Sequence, residues 1–264
     1  MTEISADLVR QLREMTGAPM MDCKRALQEA EGDLDAAKRL LREWGVAQAA
    51  KRAGRGTTEG VVLARVEDST GTLVAIGSET EPVANNDEFR AFANKVLDLV
   101  EQKGPDAIET LEDERTELVA KIGENILVRG AARFESSNGQ AIAVYVHPPA
   151  NKIGVLVKAE GSPETARRLA MHIAFAAPRY ATREEVPEED IAAEREIYEK
   201  LPEVESKPEQ ARPKIVEGML GKRFFAENVL AEQPWIHDPK KTVGEALEEE
   251  GLKVLEFERY ALAE

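Results

Sequence analysis

Two blocks of alternating apolar sequence, each running into an amphipathic helical pattern, constrain this chain most. The first joins GVVLARVE to TLVAIGSE through DSTG, then passes by SETEPVANNDEF into FRAFANKVLDLV. The second runs through NILVRGAARFES, QAIAVYVHPP and KIGVLVKAEG, with SSNG and PPAN as turns, and leads into SPETARRLAMHIAFAAP. Strands joined by such short turns pair antiparallel, because a parallel pair needs a long crossover. The expected class is α+β, a core of two α+β halves with small antiparallel sheets.

Residues 1–45 read as a separate module of three short helices. Ser5 is placed to cap a helix carrying Leu8, Val9 and Leu12, which Thr16-Gly17 stops. Pro19 suits the first turn of MMDCKRALQEA, Gly32 ends that helix, and Asp33 caps LDAAKRLLREWG, expected to close at Gly45. Residues 46–59 form an Ala/Gly-rich linker, 60–125 the first core half and 126–264 the second. In the second half, EEDIAAEREIYEKL and PEQARPKIVEGMLGKRFFAENVL keep a helical period on either side of a break between Pro202 and Pro208. They predict a projecting helical hairpin over about 186–229. TVGEALEEEG is a last short helix, and LKVLEFERYAL alternates well enough to return to the second sheet.

A net charge of −15 argues against a general nucleic-acid or membrane-surface binder, since both need a basic field. Residues 1–58 carry ten Lys/Arg and nine Asp/Glu, against 25 and 41 in the remainder, which supports a distinct N-terminal module. Cys23 is the single cysteine, so no disulfide forms within the chain and a reducing compartment is expected. It reads as a small helical core residue. The stretch MTEISADLVRQLREM has no apolar core like that of a signal peptide, and no run approaches membrane-spanning length. A soluble cytoplasmic protein is expected.

Chemical motifs are missing. There is no P-loop, no GxGxxG after a strand, and no GxSxG, HExxH or CxxC. His147, His172 and His237 stand far apart in unlike contexts, so no metal site is expected. His172 lies among apolar helical neighbours and reads as a satisfied, semi-buried histidine; His147 ends a strand beside Pro148-Pro149 and reads as exposed. Acid pairs such as Glu184-Glu185 and Glu188-Glu189 read as a solvated face. The chain reads as a binding protein, not an enzyme.

Leu12-Arg13-Glu14, Thr16-Gly17-Ala18, Met20-Met21-Asp22-Cys23-Lys24, Ala26-Leu27, Gly32-Asp33 and Leu41-Arg42 together resemble the N-terminal module of the elongation factor Ts family. That module is similar in fold to ubiquitin-associated (UBA) domains. ETEPVANNDEF from Glu79 resembles the family's Glu-Thr-Asp-Phe-Val-Ala-x-Asn-x-x-Phe loop. KIGENI from Lys121, His147, KIGVLV from Lys152, AMHIA from Ala170, Lys207-Pro208-Glu209, KIVEG from Lys214, LAEQP from Leu230, Thr242-Val243 and FERY from Phe257 continue the resemblance in order to the end of the chain.

The resemblance implies a guanine nucleotide exchange factor that binds the GTPase elongation factor Tu with GDP and promotes GDP release, with no cofactor of its own. Arg13, Met20 and Met21 match contacts to the G domain. Glu81 and Pro82 match the Asp-Phe pair inserted near the Mg²⁺ site, with Val83 beside them as a further partner-binding residue; Ile122 and Gly123 match a second contact to the G domain, and His147 a contact to the distal part of the GTPase. On packing grounds alone, Met20, Met21 and Ile122 also read as core residues. The hairpin resembles the family's coiled-coil projection, here short.

One departure falls in the central loop. Glu81 keeps the charge of the family's aspartate with one more methylene, and Pro82 stands where the family has phenylalanine. Proline fixes its own φ, lacks an N–H and pushes Glu81 toward extended backbone. The expectation is a stiffer loop with a smaller wedge. The alternative reading is therefore a binding or chaperone-like partner of elongation factor Tu with weakened exchange. An enzyme would need a convergent cluster around His147 or the acidic groups, and a ubiquitin reader would account for the first module alone.

Overall fold

The computed structural model describes residues 4–263. Three helices come first: α1 (Ala6–Thr16), α2 (Met20–Glu29) and α3 (Leu34–Arg52). Strands β1 (Glu59–Glu67) and β2 (Thr70–Ser78) lead into α4 (Glu81–Ala84), α5 (Asp87–Lys103) and α6 (Glu112–Ile122). Then come β3 (Ile126–Glu135), β4 (Gln140–Val146), β5 (Ile153–Glu160) and α7 (Pro163–Ala176). A helical segment comprises α8 (Glu188–Glu199), α9 (Pro202–Glu205), α10 (Arg212–Met219) and α11 (Ala226–Asn228). The chain finishes with β6 (Pro234–Trp235), β7 (Asp238–Thr242), α12 (Val243–Glu249) and β8 (Lys253–Ala261).

Local signals act where the sequence places them. The Ser5 side chain accepts the Leu8 N–H at the start of α1, and Asp33 accepts the Ala36 N–H at the start of α3. Thr242 and Glu245 form a reciprocal capping box on α12. Each such cap is worth about 1 kcal/mol. Cys23 is buried in the core of the helical module with Val9, Leu12, Ala26, Leu27 and Ala37.

Two elements depart from expectation. Helix α3 does not close at Gly45 but runs on through seven residues of the expected linker to Arg52. Gly45 is buried against Ala120 of α6, where a Cβ would stand 3.0 Å from the alanine methyl. This glycine allows two helices to approach; it does not turn the chain. The following Val-Ala-Gln-Ala-Ala stretch is rich in strong helix formers and sustains the helix. Strand β3 also leaves its expected meander. It pairs antiparallel with β2, from Ser78↔Ile126 to Thr70↔Glu135, with a bulge at Ala75/Ile76. The sheets are therefore ordered β1-β2-β3 and β4-β5-β8, with the last strand in the second sheet as its alternation predicts.

The central strands β2 and β5 explain the layering. Along β2, Val74 and Ile76 face a core shared with Phe89, Phe92 and Val96 of α5, while Leu73 and Ala75 face Leu156 of β5. Along β5, Val155 and Val157 face Leu169 and Ile173 of α7. The result is helix, sheet, sheet, helix. Each central strand is buried on both faces, so it reads as a nearly continuous apolar run. The sheets approach closely where side chains are missing. A Cβ on Gly154 would collide with Val62 Cγ1 and come within 2.9 Å of Leu73 Cδ1. One on Gly71 would collide with Ile142 Cγ2 and stand 2.7 Å from Leu156 Cδ1.

The helical segment is more than a pair of helices. Short α9 fills the break between the two prolines, and α10 continues through a π turn at Leu220–Phe225 into α11. Val186, Val204, Val216, Leu220, Phe224 and Phe225 give it a core of its own. His172, on α7, is fully buried where the segment returns to the body, not semi-buried. The Ile236 N–H points to its Nδ1 at 3.4 Å, so Nε2–H donates to Gln233 Oε1 at 2.9 Å. Gln233 Nε2 then donates to the carbonyls of Ala176 and Glu227 at 3.0 and 2.7 Å.

Two predictions follow from this packing. Gly154→Ala should lower stability by about 1–3 kcal/mol through overpacking, read as a lower urea midpoint with unchanged slope. For His172, burial pushes the imidazole pKa down, and the unfolded chain takes up the proton first on acidification. Its contribution is complete above about pH 6.5 and is lost as pH falls toward the lowered folded value. Urea midpoints measured from pH 7.5 to 5.5 should fall more steeply for the wild type than for His172→Gln; parallel curves would show that this group is not responsible.

Candidate partner-binding face

SETEPVANNDEF folds as the short helix α4 followed by the capped start of α5. The buried Ser78 hydroxyl donates to the Thr80 carbonyl at 3.1 Å. Thr80 opens α4, and Pro82 sits in its first turn. Glu81 is therefore helical, contrary to the extended geometry expected before proline. The local steric bias yields to a helical turn whose opening residue, Thr80, is held from outside. Because first-turn N–H groups have no intrahelical partner, the missing N–H of Pro82 costs little here. Asn86 then caps α5, accepting from the N–H groups of Glu88 and Phe89 at 2.9 and 3.2 Å, and the Phe89 ring anchors the turn in the core.

A second turn lies beside the first. Helix α6 ends at Gly123, whose φ of 87° suits a residue without a Cβ, and Glu124-Asn125 leads into β3. The two turns are clamped together by carboxylates. Glu79 accepts from the Asn125 N–H at 2.6 Å. Glu124 accepts from the Thr80 N–H and hydroxyl at 3.0 and 2.6 Å. Lys121 pairs with Glu88 at 2.7 Å, and Asn125 Nδ2 donates to the Arg55 carbonyl at 2.8 Å. This clamp brings Glu81, Pro82 and Val83 beside Ile122 and Gly123. Glu81 and Pro82 are exposed, while Val83 and Ile122 are half-buried and pack on the first core.

The helical module adjoins the same place. Its Gly17 turn lies on the Lys121 stem, where a Cβ would be 2.5 Å from Lys121 Cε. A cleft of about 450 Å³ opens between the module and α6, lined by Met15, Pro19, Trp44 and Thr116 among others. Arg42 bridges it to Asp113 at 2.7 Å, but both side chains are well exposed and the pair contributes at most about 1 kcal/mol. Arg13 is exposed at the end of α1. Met20 and Met21 are 48% and 72% exposed, so neither is a core residue. Exposed, adaptable methionine side chains suit protein contacts.

His147 reaches this region by another route. It follows β4, its N–H donates to the Ile153 carbonyl at 2.9 Å, and a cis Pro148-Pro149 bond forms the turn beyond it. Lys152 of that turn pairs with Glu59 at 2.5 Å, and Glu59 lies across from Ser78. The His147 turn thus shares an end of the first sheet with the Thr80–Pro82 turn. His147 is half-buried, not freely exposed as expected: its Nδ1 is 2.9 Å from Tyr145 Oη, and the Phe175 ring meets it edge-on at 5.3 Å. Among the described residues no group of three or more His, Cys, Asp or Glu is placed to hold a metal ion. The face offers apolar contact, hydrogen bonds and charge.

Residues 79–264 match the family model described as Elongation factor TS, and the match begins at Glu79, the first clamp carboxylate. The chain belongs to the elongation factor Ts family. Elongation factor Ts of Alkalilimnicola ehrlichii is 45% identical, over 99% of this chain and 92% of the relative. Those of Shewanella amazonensis and of Actinobacillus pleuropneumoniae serotype 5b are 44% and 43% identical, covering 99% and 100% of this chain and 91% and 93% of the relatives. Membership supports a role as a translation elongation factor. Among the described residues no helix is long and apolar enough to cross a membrane.

The clamp residues carry no signal in the sequence, because their partners lie 44 to 46 positions away. Glu79, Glu124 and Asn125 sit inside ETEPVANNDEF and KIGENI, but nothing in their spacing says that residue 79 meets residue 125. Glu124→Ala should leave the Thr80 N–H and hydroxyl without their acceptor. The expected result is faster amide hydrogen exchange over residues 80–85, with a shift of the thermal midpoint of only a few degrees. Unchanged exchange there would show that the clamp does not hold the turn.

Proposed function

We propose that this chain is a guanine nucleotide exchange factor for elongation factor Tu. The observation that carries the reading is the clamped pair of turns, which presents Glu81-Pro82 beside Ile122-Gly123 on a rigid end of the first sheet. Exposed Arg13, Met20 and Met21 adjoin it on one side and His147 on the other. A face of this kind lowers the affinity of a GTPase for GDP if it binds the nucleotide-poor state more tightly, and linkage makes the coupling equal in both directions. The GTPase supplies its own phosphate cradle, so none is needed here. No bond of the nucleotide is broken, so the chain is not an enzyme. A cytoplasmic location is part of this reading, as translation takes place there.

A second reading rests on Pro82. It is exposed and carries no aromatic ring for insertion into a partner. A chain that binds elongation factor Tu but accelerates release weakly would fit that surface. Pro82 holds a first-turn position with no intrahelical N–H bond, so Pro82→Phe should fold normally. Adding a ring buried only during exchange should speed stopped-flow GDP release by about 5- to 150-fold, corresponding to roughly 1–3 kcal/mol. A variant no faster than wild type would end the missing-wedge explanation. Binding by the wild type without any acceleration would favour the second reading, and no effect on release and no binding would reject both.

A further inference from the structure

The last turn of α7 is held from several sides, yet it carries a large apolar side chain in water. Phe175 is 67% exposed, and among the described residues it is the one aromatic in the set of strongly exposed large hydrophobics. Its neighbours are fixed. The Ala174 carbonyl faces the Arg259 guanidinium at 3.4 Å, and the Ala176 carbonyl accepts from Gln233 Nε2 at 3.0 Å. Ala177 closes the helix in the left-handed region at φ 45°, with its N–H on the Ile173 carbonyl. A non-glycine residue keeps that conformation only where its surroundings over-determine it. Phe175 is therefore presented by a rigid frame. Its ring lies edge-on to His147, whose Nδ1 is within hydrogen-bond distance of the Tyr145 hydroxyl at 2.9 Å.

We propose that Phe175 is an aromatic anchor for elongation factor Tu, inserted into an apolar recess of the GTPase next to the His147 contact. The inference rests on the exchange-factor reading and adds a residue to its face. Three observations carry it. The ring is continuous with that face through His147 and the Lys152–Glu59 pair. Its frame is ordered in advance, so little conformational freedom is lost on binding. Pro82, at the central turn, supplies no aromatic ring, whereas an aromatic is available here. Large aromatic anchors in well-packed interfaces carry a disproportionate share of binding.

The test uses the full chain and its cognate elongation factor Tu with fluorescent GDP. Wild type, Phe175→Ala, Phe175→Trp, His147→Ala and the Phe175→Ala/His147→Ala double variant are compared for affinity, exchange rate and thermal midpoint. Phe175→Ala should weaken binding by about tenfold or more, mainly as a raised half-saturation concentration, with the thermal midpoint nearly unchanged. Phe175→Trp should retain affinity, and the double variant should lose less than the product of the single losses. Wild-type affinity in Phe175→Ala, or a loss that only follows a lowered thermal midpoint, would overturn the anchor while leaving the exchange-factor reading intact. A wild-type chain that neither binds nor accelerates GDP release would overturn that reading and the anchor with it.

Discussion

The close approach of the two sheets is the constraint on which the rest of the structure depends. Gly154 faces Val62 and Leu73, and Gly71 faces Ile142 and Leu156, at separations that exclude a methyl group. This contact joins two three-stranded sheets, each with a helix on its outer face, into one four-layer body. It also brings the turn after β4 to the start of β1, where Lys152 meets Glu59. Without it, His147 and the Thr80–Pro82 turn would belong to separate surfaces.

On that frame, the proposed face is made by short-range chemistry. Carboxylates perform the joining: Glu79 and Glu124 take backbone and hydroxyl hydrogens across the gap between two turns, and Glu88 pairs with Lys121. Hydrogen bonds to an ionised carboxylate are stronger than neutral ones, so a few residues can hold a polar turn that buries little apolar surface. The strong acidity of the chain after residue 58 is thus partly structural: some carboxylates hold turns and caps, as Glu245 does on α12. Others lie in solvent on the helical segment, whose stability comes from its own apolar core.

Legibility followed the range of each interaction. Helix starts at Ser5 and Asp33, the helical nature of 87–103 and 163–176, and the return of the last strand were readable because caps and periodicity act within a few residues. Gly45 misled because glycine ends a helix when it turns the chain and serves a helix interior when a neighbour must come close; the residue is the same in both uses. Strand β3 misled because three strands joined by short turns usually form a meander, whereas here α5 and α6 return the chain beside Ser78. Cys23 is buried, as its place among apolar helical neighbours predicts, whereas sequence pattern does not separate core from surface for Met20 and Met21, which are exposed.

The sequence by itself determined the α+β class, the helical head, the absence of phosphate- and metal-binding motifs, and the ordered run of segments shared with elongation factor Ts. It also raised the expectation that Pro82 stands where the family's loop carries an aromatic. Only the tertiary structure decided which sheet received β3, that residue 79 clamps residue 125, and that Phe175 stands in water beside His147. The physical reason is distance along the chain. A cap or an apolar period is a property of neighbouring residues, but the partner of a carboxylate or the exposure of a ring depends on which distant segments the close contact of the two sheets brings together.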